Sequence, residues 1–470
     1  MLCCRNLLLT ISLNFIIGIA LLVLLWFAHP YLVVYGEKTI EDENLKVEVV
    51  VEGLDSPTGM EFLGTNDILV LEKNNGTVKR IVDGHINQTL LDVKVDNELE
   101  RGLLGMAVAK NDTKTYVFLY YTESSGEDGN DYCPSINECD QEYEPKGNRL
   151  YRYELEGDKL VHPKLLLDLP ASPGSDHQGG FVTIGPDSNV YVVAGDGDSC
   201  FDASCFDNFN DTVLNSQTAN QQDGQRPSGR GGILRITPDG AVVGAGILGK
   251  DDPLNKYYAY GIRNSFGMDF DPLTGNLWDT ENGPAFGDEI NLVEPGFNSG
   301  WLKTQGIWPI FNHTLLLPKN LSPPYRGYVW TDMIKNSTAS DSSDLKLVDF
   351  QEKGKYSDPE FVWNRSIGVT SIKFLNSDKL GKQYENDIFV ASSNGPFIYH
   401  FDLTEDRKGL LLGGPLQDKV ANNADELQAN IFGRDFGGIT DMEVGPDGFL
   451  YVLSISKDKI WRIVPIETKE

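Results

Sequence analysis

The sequence is poor in basic residues, and this shortage excludes one class of function. Its 470 residues include 40 lysines and arginines against 69 aspartates and glutamates, which gives a formal net charge of −29 at pH 7. A surface of this sign repels the phosphates of DNA and RNA. Nucleic acid is therefore excluded as a partner, and the acidity fits a soluble domain in a salty exterior.

Long apolar runs are also lacking, with one exception at the N-terminus. The run from Leu7 to Tyr35 contains no charge between Phe15 and Ala28 and is long enough for a membrane-spanning helix. Arg5 precedes it and acidic residues follow it, which favours an inside N-terminus. We predict a short cytoplasmic segment (1–6), a single-pass signal anchor in the cell membrane (7–35), a linker (36–47) and one extracytoplasmic domain (48–466). A cleaved signal peptide is the alternative.

Cysteine is scarce, and four of the six cysteines form two close pairs. Outside the cell such pairs commonly close local loops as disulfides, which predicts Cys133–Cys139 and Cys200–Cys205. A zinc site is the alternative, but nearby histidines do not complete four ligands. Asn-x-Ser/Thr sequons fit a glycosylated exterior; they begin at Asn75, Asn87, Asn111, Asn210, Asn312, Asn320, Asn336 and Asn364.

Amphipathic helical patterns are absent after the apolar run, and short β-rich segments recur instead. Each unit reads strand, Pro/Asp/Gly turn, strand, as in 179–193 and 438–453, where the turns are Gly-Pro-Asp. Six such units fit in the domain. Repeated sheets around an axis remove exposed strand edges, so we predict an all-β, six-bladed β-propeller that follows the N-terminal transmembrane helix. A β-sandwich array is the alternative, but it would require linkers.

Three loops between these units carry chemically useful side chains. His177 lies at the start of a unit and is followed by Gly179-Gly180, which permit close approach of a flat ligand. Arg263 offers a guanidinium fork for a carboxylate or a quinone oxygen. The turn at Gly283-Pro284 offers the oxygen ligands that calcium prefers. A turn histidine and an inter-blade ion pair remain the structural alternatives for His177 and Arg263.

Three motifs resemble those of the glucose/sorbosone dehydrogenase family. They are Asp-His-x-Gly-Gly at 176–180, Gly-x-Arg-Asn-x-x-Gly-Met at 261–268 and Gly-Pro-x-x-Gly-Asp-Glu-Ile-Asn at 283–291. The resemblance spans about residues 48–465. The family includes soluble dehydrogenases that depend on pyrroloquinoline quinone (PQQ). It implies a propeller that binds PQQ and calcium and oxidises an aldose sugar at C1 to its lactone. The electrons then pass to an external acceptor.

The resemblance also implies roles for individual residues. His177 matches the general base, Asp176 would orient it, and Arg263 matches the arginine that polarises the quinone oxygen. Cofactor contacts are implied for Glu100, Arg263, Asn264 and Arg434. Calcium would bind the carbonyls of Gly283 and Pro284, and Trp363 would line the sugar pocket.

Three positions depart from the family pattern and leave other functions open. Glu100 replaces a glutamine, Leu375 a lysine and Phe432 an arginine, and each change weakens the grip on the carboxylates of PQQ. A non-catalytic carbohydrate- or protein-binding propeller and a calcium-dependent hydrolase of lactonase type are therefore the alternatives. The sequence does not indicate an oligomeric state.

Overall fold

The structure is a computed structural model that describes residues 39–126, 145–171, 174–197, 227–284, 286–301, 304–307, 347–395 and 397–466. These residues form 28 strands, numbered β1 to β28 in chain order, which are arranged in six sheets. In each sheet the chain runs mainly from an innermost strand outward, because consecutive antiparallel strands are joined by short turns.

Three of the sheets have four strands. The first contains β3 (Pro57–Gly64), β4 (Asp67–Glu72), β5 (Thr77–Val82) and β6 (His85–Asp92). The second contains β7 (Leu103–Lys110), β8 (Thr115–Glu123), β9 (Gly147–Glu156) and β10 (Lys159–Leu169). The last contains β26 (Ile439–Val444), β27 (Leu450–Ser454), β28 (Lys459–Pro465) and β2 (Leu45–Glu52).

The other three sheets are larger. The third in chain order contains β11 (Gly179–Ile184), β12 (Val190–Ala194), β13 (Gly232–Ile236), β14 (Tyr257–Tyr260), β18 (Phe297–Asn298) and β19 (Lys355–Tyr356). The fourth contains β15 (Ser265–Phe270), β16 (Leu277–Glu281), β17 (Asp288–Val293), β20 (Phe361–Trp363) and β24 (Val420–Ala421). The fifth contains β21 (Val369–Phe374), β22 (Ile388–Ser392), β23 (Ile398–Phe401), β25 (Ile431–Arg434) and β1 (Thr39–Ile40).

The six innermost strands contact one another in a closed ring, which makes the fold an all-β propeller. Strands β3, β7, β11, β15, β21 and β26 follow each other around the ring, and β26 contacts β3. The ring is closed by pairing between an early and a late strand of the described residues, because β2 pairs antiparallel with β28. Each of the six repeat-like segments of the sequence begins with one of these innermost strands.

The Gly-Pro-Asp turns explain the repetition at the level of hydrogen bonds. In the third sheet Gly185 N donates to Asn189 O at 2.9 Å, and Tyr191 Oη donates to Asp187 Oδ2 at 3.1 Å. The last sheet repeats this arrangement, with Tyr451 Oη donating to Asp447 Oδ2 at 2.9 Å. The aspartate thus caps the turn and receives the tyrosine of the following strand.

The hydrophobic core lies between neighbouring sheets. Phe118, Val192 and Leu234 are fully buried between the second and third sheets. Successive side chains of a strand point to opposite faces of its sheet, so alternate residues enter this core. Trp278 and Phe361 are fully buried between the fourth and fifth sheets. This interlocking packing fixes the relative positions of the loops at the strand ends.

The fold-class prediction needs correction for the transmembrane helix. Within the described ranges, helical structure is limited to short 3-10 turns, and no helix there is long and apolar enough to cross a membrane. The short turns are Leu254–Lys256, Lys382–Tyr384, Gly414–Asp418 and Ala424–Asn430. The predicted anchor (7–35) lies outside the described residues, and so do Cys133, Cys139, Cys200 and Cys205.

Candidate functional site

The candidate site lies at the ends of the second, third and fourth sheets where their innermost strands begin. Antiparallel neighbours place the start of an innermost strand beside the end of the next strand. Glu100 precedes β7, His177 precedes β11 and Arg263 precedes β15, whereas Asp196 follows β12 and Asn282 follows β16. The packing of the sheets therefore brings residues that are far apart in sequence into one cluster.

His177 is held by a buried carboxylate. Its Nδ1 lies 2.7 Å from Oδ1 of Asp196, and Trp301 Nε1 donates to Oδ2 of the same carboxylate at 2.7 Å. The side chain of Asp196 is only 3% exposed, whereas that of His177 is 15% exposed. With Nδ1 engaged, Nε2 is the ring nitrogen left for a proton from a ligand.

A glycine beside Asp196 permits this approach. A Cβ at Gly195 would lie 2.1 Å from the carbonyl oxygen of His177, which is shorter than any real Cβ contact. The backbone of His177 itself has a φ of 54°, in the left-handed region. A substitution at Gly195 would therefore push the β12 end away from the histidine.

The carboxylate bonded to Nδ1 of His177 is Asp196, whereas the resemblance implied Asp176 for that role. Asp196 occupies Nδ1, and its place at the end of the neighbouring antiparallel strand explains why the adjacent residue in sequence is not the partner. Burial and the negative charge of Glu100 raise the pKa of the Asp176 carboxyl to about 6, although His177 and Arg263 lower it. Asp176 thus changes its charge near neutral pH within the cluster.

Arg263 is fixed by the backbone around it and retains an unsatisfied donor. Its Nη1 donates to the carbonyls of Asn282 at 2.9 Å and of Gly283 at 3.2 Å, while its Cζ lies 5.4 Å from the ring centroid of Trp301. Among the described residues its Nε is buried without a hydrogen-bond partner. A buried unpaired donor is costly, so this atom suits an acceptor oxygen of a bound ligand.

Glu281 is a buried carboxyl that holds the backbone of Arg263, and two more buried carboxyls, Glu289 and Asp279, lie near it. Glu281 Oε1 accepts from the backbone N–H of Arg263 at 2.7 Å, and Oε2 accepts from Ser299 Oγ at 2.5 Å. Burial raises the pKa of Glu281 well above its usual value, and raises that of Glu289 to about 8 and that of Asp279 to about 7. The group is therefore partly protonated at neutral pH and adds little negative charge.

Glu100 and Asn264 connect the second and third sheets to the fourth. Asn264 Nδ2 donates to Glu100 Oε2 at 3.0 Å, and Asn264 Oδ1 accepts from the backbone N–H of Gly179 at 3.1 Å. The backbone N–H of Gln178 also donates to Glu100 Oε2, at 3.3 Å. Both side chains thus position the loop that carries His177.

Lys73 is a second cation in this region. It follows β4, and its Nζ donates to Asn74 Oδ1 at 3.1 Å and to the carbonyl of Asn97 at 3.4 Å. Burial lowers the pKa of its ammonium group to about 8, against the opposing charges of Glu100 and Asp96. A ligand carboxylate near Lys73 would stabilise the ammonium form.

The turn predicted to bind calcium is held by two hydrogen bonds of Gly283. Gly283 N donates to Asp288 Oδ1 at 2.9 Å, while the carbonyl of Gly283 accepts from Arg263. A carbonyl oxygen has two lone pairs and can accept a second interaction. Pro284 is partly exposed beside it.

Arg434 and Trp363 make the contacts that the structure shows outside the cluster. Arg434 lies on the outer strand β25, where its Nε donates to Glu41 and its Nη2 donates to Gln428 Oε1 at 3.3 Å. Trp363 is 2% exposed and packs against Phe361 in the core of the fourth and fifth sheets. Strand pairing decides the position of both residues: β25 pairs with β1 beside Arg434, and β20 pairs with β17 so that Trp363 lies in the core.

Three residues of the cluster were not predicted from the sequence. Asp196 is 19 residues from His177 in sequence, and Trp301 and Lys73 are more than 100 residues away, so each reaches it or its neighbours only through the fold. A partial signal existed for Asp196, because it lies between two glycines at the end of a strand that pairs with β11.

We expect Asp176→Asn to remove a pH dependence of stability. The folded chain keeps a proton on Asp176 between its ordinary pKa of 3.8 and about 6, whereas the unfolded chain releases it. The free energy of unfolding therefore falls as pH rises from about 4 to about 6 and levels off above. Urea unfolding at pH 4.5 and pH 7 measures the effect. Between these two pH values the free energy of unfolding of the variant should rise relative to that of the wild type by less than about 2 kcal/mol, since solvent screens this partly exposed group. If the free energy of unfolding depends on pH in the same way in both proteins, the raised pKa of Asp176 is contradicted.

The fold and the cluster together define a β-propeller with a carboxylate-held histidine and an arginine on one face. The chain belongs to the glucose/sorbosone dehydrogenase family, whose model matches residues 54–307 and 320–462. It is therefore an enzyme of the oxidoreductase class.

Two relatives and one solved structure illustrate the similarity. Quinoprotein glucose dehydrogenase B of Acinetobacter calcoaceticus is 28% identical over 278 residues, which cover 57% of this chain and 54% of that protein. Aldose sugar dehydrogenase YliI of Escherichia coli (strain K12) is 24% identical over 429 residues, which cover 87% and 90%. The structure of the PQQ-bound aldose sugar dehydrogenase from Streptomyces coelicolor has a TM-score of 0.58 at 19% identity, covers 89% of this chain and 98% of that one, and supports the fold alone.

Proposed function

We propose that this chain is a PQQ-dependent dehydrogenase that oxidises an aldose at C1 to its lactone and passes two electrons to an external acceptor. Relatives named as quinoprotein and aldose sugar dehydrogenases support the reaction class. The observation that carries the proposal is the pairing of His177 with Asp196 beside an arginine that has an unsatisfied buried donor. An extracytoplasmic location is part of the proposal, on the sequons and the paired cysteines of the sequence.

The residues fit PQQ at its reacting end. The orphaned Nε of Arg263 is a ready donor for a quinone oxygen, and Lys73 is a cation for one of the three carboxylates. PQQ, when bound, supplies a quinone that accepts a hydride. Arg434, Leu375 and Phe432 do not contribute, because Arg434 bonds Glu41 and the other two side chains are buried in the core. We therefore expect weaker cofactor binding than a site with three arginines or lysines would give.

The side chains divide the work on the sugar. His177 Nε2 accepts the proton of the C1 hydroxyl, while the Asp196 carboxylate holds the ring and stabilises the imidazolium that forms. The C1 hydrogen leaves as hydride, so that the C1–O bond becomes the carbonyl of the lactone. Arg263 stabilises negative charge that develops on the acceptor oxygen. The ring of Trp301 lies beside the guanidinium group.

Calcium is the second proposed cofactor. The carbonyls of Gly283 and Pro284 are oxygen donors of the type that calcium takes, and the Asp288 contact fixes the turn. We expect chelation by EDTA to abolish cofactor-dependent activity and added Ca²⁺ to restore it. Full activity after exhaustive chelation would remove calcium from the proposal.

Replacing Asp196 by asparagine tests the positioning of the base. The amide can still accept from Nδ1 but carries no charge to stabilise the imidazolium. We expect kcat to fall about 10–100-fold while the PQQ dissociation constant stays within about twofold. Asp196→Glu, which keeps the charge, should recover part of kcat. Equal losses in both variants would indicate a purely structural role.

Reconstitution tests the proposed function directly. The full chain is loaded with PQQ and Ca²⁺ and offered a panel of aldoses with an artificial electron-accepting dye. We expect dye reduction that depends on both cofactor and sugar. Saturable sugar binding without dye reduction would instead favour a carbohydrate-binding propeller, an alternative supported by the loss of cations at Leu375 and Phe432. Cleavage of a lactone without any dye reduction would favour a hydrolase.

A further inference from the structure

A group of potential metal ligands lies in the fifth sheet, away from the candidate site. Asp387 immediately precedes β22, His400 is in β23 and Asp402 follows β23. His400 pairs in register with Phe389, so its side chain lies next to that of Asp387 at the edge of the same strand pair. His400 and Asp402 are two residues apart on an extended chain and therefore point to the same face.

The three side chains converge closely. His400 Nε2 lies 3.0 Å from Asp387 Oδ2 and 3.8 Å from Asp402 Oδ1, and one ligand atom from each residue lies within 4.8 Å of the others. A tetrahedral ion with bonds of about 2.1 Å places its ligand atoms about 3.4 Å apart. The two measured distances bracket this value, so shifts of a few tenths of an ångström would complete the geometry.

The surroundings hold the imidazole in place. The ring of Tyr384 meets it edge-on at 5.1 Å between centroids, and the ring of Phe389 lies at 5.1 Å on another side. The backbone is also fixed, because Leu375 N donates to Asp387 O at 3.1 Å and Leu411 N donates to Asp402 O at 2.8 Å. A preformed set of ligands loses little conformational entropy when it binds an ion.

The group is rich in carboxylates. Two of them face one imidazole, and in the part of the chain that the structure describes no lysine or arginine forms an ion pair with either carboxylate. A divalent cation would relieve the repulsion between the carboxylates. Imidazole nitrogen favours transition metals of the zinc class, whereas calcium prefers oxygen ligands alone.

We propose that Asp387, His400 and Asp402 form a binding site for a divalent transition-metal ion, with water completing the coordination. Asp402 is 57% exposed on its side chain and provides the entry path. The ion would tie the β22–β23 pair to the 402–411 turn.

This site is separate from the dehydrogenase chemistry. Val369 pairs with Ser392 and Phe374 pairs with Ile388, so Asp387 lies at the Phe374 end of the strand pair. The candidate active site lies at the other end, where Asn282 Nδ2 donates to Val369 O at 2.7 Å. Occupancy by the metal is therefore expected to change stability and to leave aldose oxidation unchanged.

Titration of the full chain with Zn²⁺ tests the proposal. Calorimetry should show a site whose affinity falls about tenfold or more in His400→Gln and in Asp402→Asn. His162→Gln is the matched control, because His162 is an exposed histidine beside a single carboxylate, Glu156, at 3.4 Å. The control should bind Zn²⁺ as the wild type does. Zn²⁺ should also raise the melting temperature of the wild type and the control, but not of the other two variants.

Two outcomes would overturn the proposal. One is equal Zn²⁺ binding by all four proteins; the other is displacement of Zn²⁺ by an equal concentration of Ca²⁺, which would indicate an oxygen-only site. If His400→Gln fails to fold, Asp402→Asn decides alone, since its side chain is mostly exposed. None of these readouts depends on PQQ or on sugar oxidation, so a failure of the proposed function leaves the result interpretable.

Discussion

Replacing His177 by glutamine should lower the turnover of the PQQ-loaded chain by about 10²–10⁴-fold, the usual contribution of a general base. Glutamine can keep a hydrogen bond to Asp196 but cannot accept the C1 hydroxyl proton at neutral pH. Cofactor binding should change little, because the side chain acts on the sugar. The measurement is kcat with a saturating aldose and dye, together with the PQQ dissociation constant.

The control for this variant is His162→Gln, which changes an exposed histidine outside the cluster. We expect its turnover to match the wild type. A His177→Gln chain that retains more than about a tenth of wild-type turnover would show that another group takes the proton. Asp176, with its pKa of about 6, would then be the next candidate.

Replacing Arg263 by lysine should lower turnover by about 10²–10³-fold, in the range found when a donor to a developing oxyanion is removed. Lysine keeps the positive charge but lacks the rigid, forked guanidinium group. It therefore cannot donate at once to the Asn282 and Gly283 carbonyls and to a ligand. The Nε that lacks a partner in the described residues is lost as well. Steady-state kinetics with dye and a fixed aldose measure the effect.

Arg434→Lys is the matched control for Arg263→Lys. Family resemblance implies a cofactor contact for Arg434, whereas the structure pairs it with Glu41 and Gln428. We therefore expect a change in turnover and in PQQ affinity of less than about twofold, in line with the small contribution of an exposed ion pair. Equal damage from the two substitutions would mean that Arg434 reaches the cofactor after all.

Local signals in the sequence account for much of the fold. The Gly-Pro-Asp turns and the short β-rich runs mark where strands begin and end, because the turn chemistry acts over four or five residues. The Asp187–Tyr191 and Asp447–Tyr451 hydrogen bonds show that the repeated sequence pattern forms the same contact in two sheets. The family resemblance was confirmed by the match over most of the chain.

The candidate site could be predicted only in part, because its contacts cross between sheets. His177 and Arg263 stand in distinctive motifs, and the fold brings them to the same strand ends. The motif offers His177 its sequence neighbour Asp176, whereas antiparallel pairing of β11 and β12 presents Asp196. Side-chain direction is set by register, which a motif does not contain.

Trp363 and Arg434 also have surroundings that strand pairing decides. An aromatic residue before a loop and an arginine near a strand end are both compatible with a ligand site. In the structure β17 pairs with β20 and turns Trp363 into the core, and β25 pairs with β1 and holds Arg434 near Glu41. Strand β1 precedes β25 by almost 400 residues, so no local pattern indicates this contact.

The most direct test of the central claim is the absorption spectrum of PQQ bound to the full chain, recorded without oxygen or dye while an aldose is added. If the chain is an aldose dehydrogenase that uses His177, the wild type should convert bound PQQ to its reduced form in a single turnover. His177→Gln should bind PQQ and leave it oxidised over the same time. Bound PQQ that no aldose reduces in the wild type, or that both proteins reduce equally fast, would contradict the account.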